Sequence, residues 1–298
     1  MKRDKSVVWH RPDPAGLDLT GLHVAVIGGT GGIGRALSRF MASRGAQVLV
    51  VGQTFRDEGV RGIDFLRADL SLMSEAQQVA HRLPAETLDL VVFTTGILAA
   101  PKRQETAEGL ERDMAVSYLS RFVILHGIAA RLGQRRPTAT MKPRVFVMGA
   151  PGRGQAGNPE DLNAEKAYGA MSAHMNTIAG NEMLVLDAAE RYPHLNAYGL
   201  NPGLVKSNIR SNLMGGEGSL RYRLSESLVG LFMPSADTYA KRMTPLFASP
   251  DLEGRGAVMF DHKGNAFLPS PKLTDDHIHA FMTASEALLS RTGVRVAR

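Results

Sequence analysis

The chain has 298 residues, 44% of them hydrophobic and 21% charged, a balance that suits one large soluble domain with a substantial core. It contains no cysteine, which excludes disulfides, thiolate metal sites and a cysteine nucleophile, and fits a reducing, cytoplasmic setting. No apolar run approaches the roughly 18 residues of a membrane span, no apolar stretch follows the basic N-terminus as in a secretory signal, and the net charge of +6 sits mostly in residues 2–5 and 291–298, so solvated tails are expected rather than a nucleic-acid-binding face.

In chain order, Val24–Ile27 reads as a first strand and Ile33–Ser43 as the helix after it. Val48–Val51 is a second strand, and Phe65–Leu66 a short third that runs into Ala68-Asp69-Leu70. Met73–Leu83 is helical, Leu88–Phe93 a fourth strand, and residues 109–132 a long helical segment. Val145–Met148 is a fifth strand, followed by a Gly/Pro-rich loop, Gly149–Pro159. Residues 165–191 form a second long helical region, Asn196–Leu200 a sixth strand and Val258–Phe260 a seventh. Strands alternating with helices predict an α/β fold, a doubly wound parallel sheet of the Rossmann kind. Residues 21–290 make the single dinucleotide-binding and catalytic domain, 1–20 an N-terminal extension and 291–298 a basic tail. Residues 204–235 exceed a simple connector and are expected to form a lid after the sixth strand.

Gly28-Gly29-Thr30-Gly31-Gly32-Ile33-Gly34 lies between the first strand and its helix. Gly28, Gly32 and Gly34 allow a tight turn, a close approach of backbone to a pyrophosphate, and close packing of helix on strand. The helix N-terminus then offers unpaired N–H groups to the phosphates.

This spacing resembles the glycine motif of the short-chain dehydrogenase/reductase family, T-G-x-x-x-G-I-G, with Ile27 in place of its Thr. Ala68-Asp69-Leu70 resembles the family's adenine-contacting segment. Thr94-Thr95-Gly96 stands where the family has N-A-G, and Asn201-Pro202-Gly203 with Val205 and Ser207 resembles its nicotinamide-holding P-G-x-V-x-T. The stretches 249–254 and 267–271 look like the retinol-dehydrogenase branch. The resemblance implies a nicotinamide cofactor held by Gly28, Thr30, Gly32, Ile33, Gly34, Gln53, Arg56, Asp69, Leu70, Thr94, Gly96, Pro202, Gly203 and Ser207. An NAD site places a carboxylate at the end of the second strand. Here that place is Gly52-Gln53, and Arg56 is near enough to reach a 2′-phosphate, so NADP is favoured over NAD. The resemblance also implies a homo-oligomer, dimer or tetramer, with the helix at 109–132 as a candidate interface.

The family's proton-transfer set is an Asn, a Ser, a Tyr and a Lys four residues after the Tyr. At the Asn position stands Ser117, and at the Ser position Ala150. One alignment puts His174 at the Tyr and Ile178 at the Lys; another keeps Tyr168 as the Tyr and gives Ser172 as its partner. In both the Lys is gone, and Lys166 does not fit by spacing. His174, Ser117 and Tyr168 are therefore the candidate catalytic residues. An imidazole with an ordinary pKa near 6.5 can transfer protons at neutral pH.

His277 and His279 beside Asp275 and Asp276 superficially suggest metal ligands. They fit better as the start of a helix capped by Thr274, and no metal is expected. The reading is an NADP(H)-dependent oxidoreductase with a non-standard acid/base set, acting on a moderately large apolar carbonyl, imine or alcohol. The alternatives are a non-redox enzyme on the same fold and a non-catalytic nucleotide-binding relative.

Overall fold

The computed structural model describes residues 1–136, 141–205 and 234–296. Its strands are β1 (His23–Ile27), β2 (Gln47–Gly52), β3 (Ile63–Arg67), β4 (Leu90–Phe93), β5 (Arg144–Val147), β6 (Asn196–Leu200), β7 (Val258–Phe260) and β8 (Ala266–Phe267). They form one sheet in the order β3-β2-β1-β4-β5-β6-β7-β8. Every pairing is parallel except β7 with β8. The seven expected strands are present within two residues at each end. β8, only two residues long, carries no sequence pattern that could have marked it.

The helices are α1 (Gly32–Ser43), α2 (Met73–Arg82), α3 (Arg112–Met114), α4 (Ser120–Ala129), α5 (Ala170–Arg191), α6 (Ala236–Phe247) and α7 (Asp275–Ser290). They cover both faces of the sheet, which is why the strands read as continuous apolar runs. On β1, Ala25 and Ile27 face the core shared with α2, α4, α5 and α7. Val24 and Val26 face the second core, with α1 and α6. Chain order reverses on either side of β1, whose neighbours are β2 and β4, so a crevice opens beyond their C-terminal ends.

The predicted helix at 109–132 is shorter and broken. α3 passes into a π-helical turn, Ala115–Leu119, before α4 begins. As an intersubunit face it has little surface to offer. Every residue of α4 except Gly127 is buried within the chain. The C-terminal helix α7 seals part of this region: Phe281 meets Tyr118 edge-on at 5.6 Å, and Tyr118 Oη lies 2.8 Å from Ser285 Oγ. A buried phenylalanine of this kind contributes about 2 kcal/mol through burial alone.

The predicted helix over 165–191 starts later, at Ala170. Residues 165–167 instead donate their N–H groups to the Asp161 carboxylate. Nor is the basic N-terminal stretch a free tail. Asp4 N–H donates to Ala266 O, Leu268 N–H donates to Lys2 O, and buried Trp9 donates from Nε1 to Gly264 O. At the other end Arg291 pairs with Glu165, and Val294 is buried. No helix among the described residues is long and apolar enough to cross a membrane.

Candidate active site

The glycine turn packs directly against the strand beside it. Gly28 has φ of +91°, and a Cβ there would lie 2.5 Å from Thr95 N. A Cβ on Gly34 would lie 2.3 Å from Thr94 Oγ1. Neither position tolerates a side chain, so the turn and the start of α1 sit flush on the Thr94-Thr95 segment. Thr94 Oγ1 in turn donates to Ile27 O at 3.0 Å. The α1 N-cap, Gly31, is extended and gives no side-chain cap. The first N–H groups of this 12-residue helix therefore need partners from elsewhere, which is the donor set a pyrophosphate uses. Gly32 and Ile33 supply N–H groups of that first turn. Thr30 packs against Gly52 at the end of β2.

Beyond β2, Asp57 is almost fully buried and takes two arginines from α1. Arg35 binds it in bidentate fashion, Nε to Oδ2 at 2.9 Å and Nη2 to Oδ1 at 2.8 Å, and Arg39 Nη1 adds 2.8 Å. The Arg35 hydrogen bond holds the Asp57 carboxyl below its usual range. Arg35 Nη2 also donates to the carbonyl of Arg56. Arg56 is exposed, and its Nη1 would stand 3.6 Å from a methyl placed on Gly31. The latch thus sets an arginine beside the glycine turn. Gln53, also exposed, bonds to Asp69. Burial alone would raise the Asp69 carboxyl, but hydrogen bonds from Ser71 and Gln53 outweigh it and bring it down. Leu70 is buried beneath.

On the other side of the crevice, His174 on α5 meets Asp113 on α3, with Nδ1 2.8 Å from Oδ2. Asp113 is fully buried and His174 is 18% exposed. The second Asp113 oxygen accepts from Ser117 Oγ, which itself accepts from Ile97 N–H at 3.0 Å in the loop after β4. No hydrogen bond from His174 Nε2 is found among the described residues. Tyr168 lies close by: its hydroxyl donates to Ala100 O, and burial, with Glu111 and Asp113 nearby, raises its pKa. His174 and Ser117 are therefore brought together, and Tyr168 is tied to the same loop after β4, three residues on from Ile97.

Beneath this pair lies Arg121, which burial pulls down to about 9. It donates to Met148 O at 3.0 Å, to Asn181 Oδ1 at 2.9 Å and to Thr95 O, joining the ends of β4 and β5 to α5. Glu182, raised by burial, accepts from Gly152 N–H at 2.9 Å and from Ser270 N–H, and so pins the loop after β5. After β6, Asn201 Nδ2 donates to Pro151 O at 2.8 Å, and its Oδ1 accepts from Gly203 N–H. Pro202 and Gly203 thus face the crevice end of the sheet. Ser207 and residues 206–233 of the expected lid lie outside the described residues.

An uncharacterized oxidoreductase of Saccharomyces cerevisiae is 51% identical over 294 residues, covering 97% of this chain and 95% of the yeast protein. Human polyprenol dehydrogenase is 24% identical over 250 residues, 78% of this chain and 74% of its own length. A short chain dehydrogenase of Salmonella enterica superposes with a TM-score of 0.57 at 18% identity, over 85% of this chain and all of its own. The chain belongs to the short-chain dehydrogenase/reductase family. A Mycobacterium paratuberculosis protein of the same fold reaches a TM-score of 0.70 at 19% identity, over 97% of this chain and 100% of its own. No family model matches the chain.

As a short-chain dehydrogenase/reductase the chain is an oxidoreductase of that type, and its fold implies a nicotinamide dinucleotide. The uncapped α1 N-terminus and the side-chain-free turn fit that group. The family's Ser position is Ala150, in the left-handed region at φ of +52°, with its N–H given to Leu200 O. In the alignment that puts His174 at the Tyr position, the Lys position holds Ile178, which is buried and apolar. Sequence reasoning missed Asp113, Arg121, Asp57 and Glu182. Asp113 and His174 are 61 residues apart, and no local pattern links them. Asp57 stood closest to discovery, next to Arg56 and in reach of a basic helix.

His277 and His279 show no metal arrangement among the described residues. Thr274 caps α7 by accepting from His277 N–H, and His277 Nε2 lies 2.6 Å from Ala156 O.

Proposed function

We propose that the chain is an NADP(H)-dependent oxidoreductase in which His174 takes the acid–base role, acting on a moderately large apolar carbonyl, imine or alcohol. The observation that carries this reading is the half-buried His174, anchored through Nδ1 to Asp113, with no hydrogen bond to its Nε2 among the described residues. An imidazole held through one ring nitrogen can give or take a proton through the other. The dinucleotide would be held by the glycine turn and the first N–H groups of α1, with Arg56 at the 2′-phosphate and Pro202 and Gly203 toward the nicotinamide.

When bound, the nicotinamide supplies or accepts the hydride. The chain's own residues do the rest. His174 Nε2 gives a proton to, or takes one from, the substrate oxygen or nitrogen. The apolar Ile178 and Ala150 offer it no charge and no second hydrogen bond, so the proton inventory of the site rests on the imidazole. The size of the substrate is inferred from the length of the segment after β6. Support for the redox reading comes from relatives named as oxidoreductases and dehydrogenases.

The test is NADPH oxidation, followed by fluorescence, against a panel of apolar aldehydes, ketones and cyclic imines. Substrate-dependent decay with NADPH, and much less with NADH, is expected. Product formation without net change in NADPH would replace the reading with a non-redox one. Tight nucleotide binding with no turnover on any panel member would leave a binding protein.

A further inference from the structure

We propose that Asp113 is the positioning residue of the site: it fixes the tautomer and the aim of His174. This rests on the proposed role of His174 and deepens it. A carboxylate has only acceptor sites, so its 2.8 Å contact with His174 Nδ1 requires the proton on Nδ1. The neutral imidazole then presents Nε2 as a lone pair, and the imidazolium presents Nε2–H, always on the side away from Asp113.

The carboxylate is itself held. Oδ1 accepts from Ser117 Oγ, one turn on along the same helix, and Ser117 is fixed from behind by Ile97 N–H. Ser117 itself sits in the π turn at Ala115–Leu119, which joins α3 to α4. Thr177 Oγ1 donates to the His174 carbonyl at 2.8 Å.

The charge environment gives the arrangement its meaning. Asp113 has zero exposure, and its ion pair among the described residues is with His174. Burying a carboxylate without a lysine or arginine in contact is costly. An asparagine would satisfy Ser117 equally well and carry no such cost. The other charged and titratable groups around the pair are Glu111, buried just before α3; Arg121, fully buried on α4; and Tyr168 with Arg103, which line the other side. Among the described residues none of them makes a hydrogen bond or ion pair with His174. Asp113 is thus the group that decides which ring nitrogen carries the proton. During reduction the Nε2–H bond of the imidazolium breaks as an O–H or N–H bond forms on the substrate, leaving the neutral ring, whose Nδ1–H is donated to Asp113 throughout.

The experiment is histidine ¹⁵N NMR on the full chain without cofactor, combined with kinetics of Asp113→Asn and Asp113→Glu. The wild type is expected to show His174 as the Nδ1–H tautomer, and D113N to show the Nε2–H tautomer. D113N should lower kcat on the order of 100-fold while KM and NADPH affinity stay within about twofold. D113E should restore part of kcat. An Nε2–H tautomer in the wild type would overturn the proposal, and so would a D113N enzyme with wild-type kcat. The wild-type tautomer decides the matter even if D113N does not fold. Undiminished turnover in His174→Phe would instead remove the underlying proton-donor reading. Loss in H174F without loss in D113N would remove only the role of Asp113.

Discussion

The two ends of the crevice are built from different materials. The nucleotide end is made of backbone: a turn without side chains at Gly28 and Gly34, and an uncapped helix start at Gly31. The chemistry end is made of side chains from separate helices, Asp113 and His174, braced by Ser117. A site made of backbone admits almost no substitution without being lost, because each added atom collides with the neighbouring strand. A site made of side chains can exchange its members and still hold a proton where it is wanted. That difference would account for a chain that keeps its family's glycine turn while, on the proposed reading, holding Ser117, Ala150, His174 and Ile178 at the proton-transfer positions.

Four substitutions sharpen or break this contrast. His174→Phe should cost the most, 10²-fold or more in kcat, with NADPH affinity unchanged in a fluorescence titration. An equal loss of nucleotide binding would show that the two ends are not separable. Gly34→Ala comes next. Its methyl collides with Thr94 Oγ1 and Gly28 O, and the expected overpacking of about 1–3 kcal/mol should appear as weaker binding of both nucleotides by calorimetry. Wild-type binding in G34A would mean that the turn gives way easily.

Arg56→Gln should weaken NADPH about tenfold and leave NADH nearly unaffected, since only the 2′-phosphate contact is removed. Parallel loss of both would place Arg56 elsewhere on the nucleotide.

Asp57→Asn should have the smallest effect on turnover and a readable one on stability. Its carboxyl lies below its usual range because of Arg35, so its contribution is complete above the unfolded pKa of about 4 and fades as pH falls through the lowered folded value. The arginines are partly exposed, so the contribution is discounted to about 1–2 kcal/mol at pH 7. The gap in denaturation midpoint between wild type and D57N should therefore be widest near neutral pH and narrow below pH 4. A constant gap would assign the effect to packing rather than charge.

The fold was legible because each strand carries its own signal. Val48–Val51 and Asn196–Leu200 are apolar on both faces, and the helices between them have the right period. The nucleotide turn was legible for the same reason, since strand, glycines and helix fall within 21 consecutive residues from His23 to Ser43. His174 could be reached by spacing from Pro202-Gly203. Asp113 could not, because a carboxylate in a helix flanked by Arg112 and Met114 reads as surface charge until α5 is laid against it. The break at Ala115–Leu119 was hidden too: a π turn has no composition of its own. β8 is too short to show a pattern, and the docking of Trp9 on Gly264 depends on a contact between residues 255 positions apart.

The burial of α4 has a consequence for how the molecule can assemble. A helix that is wrapped by its own chain cannot also be lent to a neighbour. Any second copy must find purchase on other ground, since α4 brings only Gly127 to the surface. The helical column that carries Asp113, Ser117 and Arg121 is therefore furnished entirely by one polypeptide. Whatever company the chain keeps, its proton-handling pair is complete in each copy on its own.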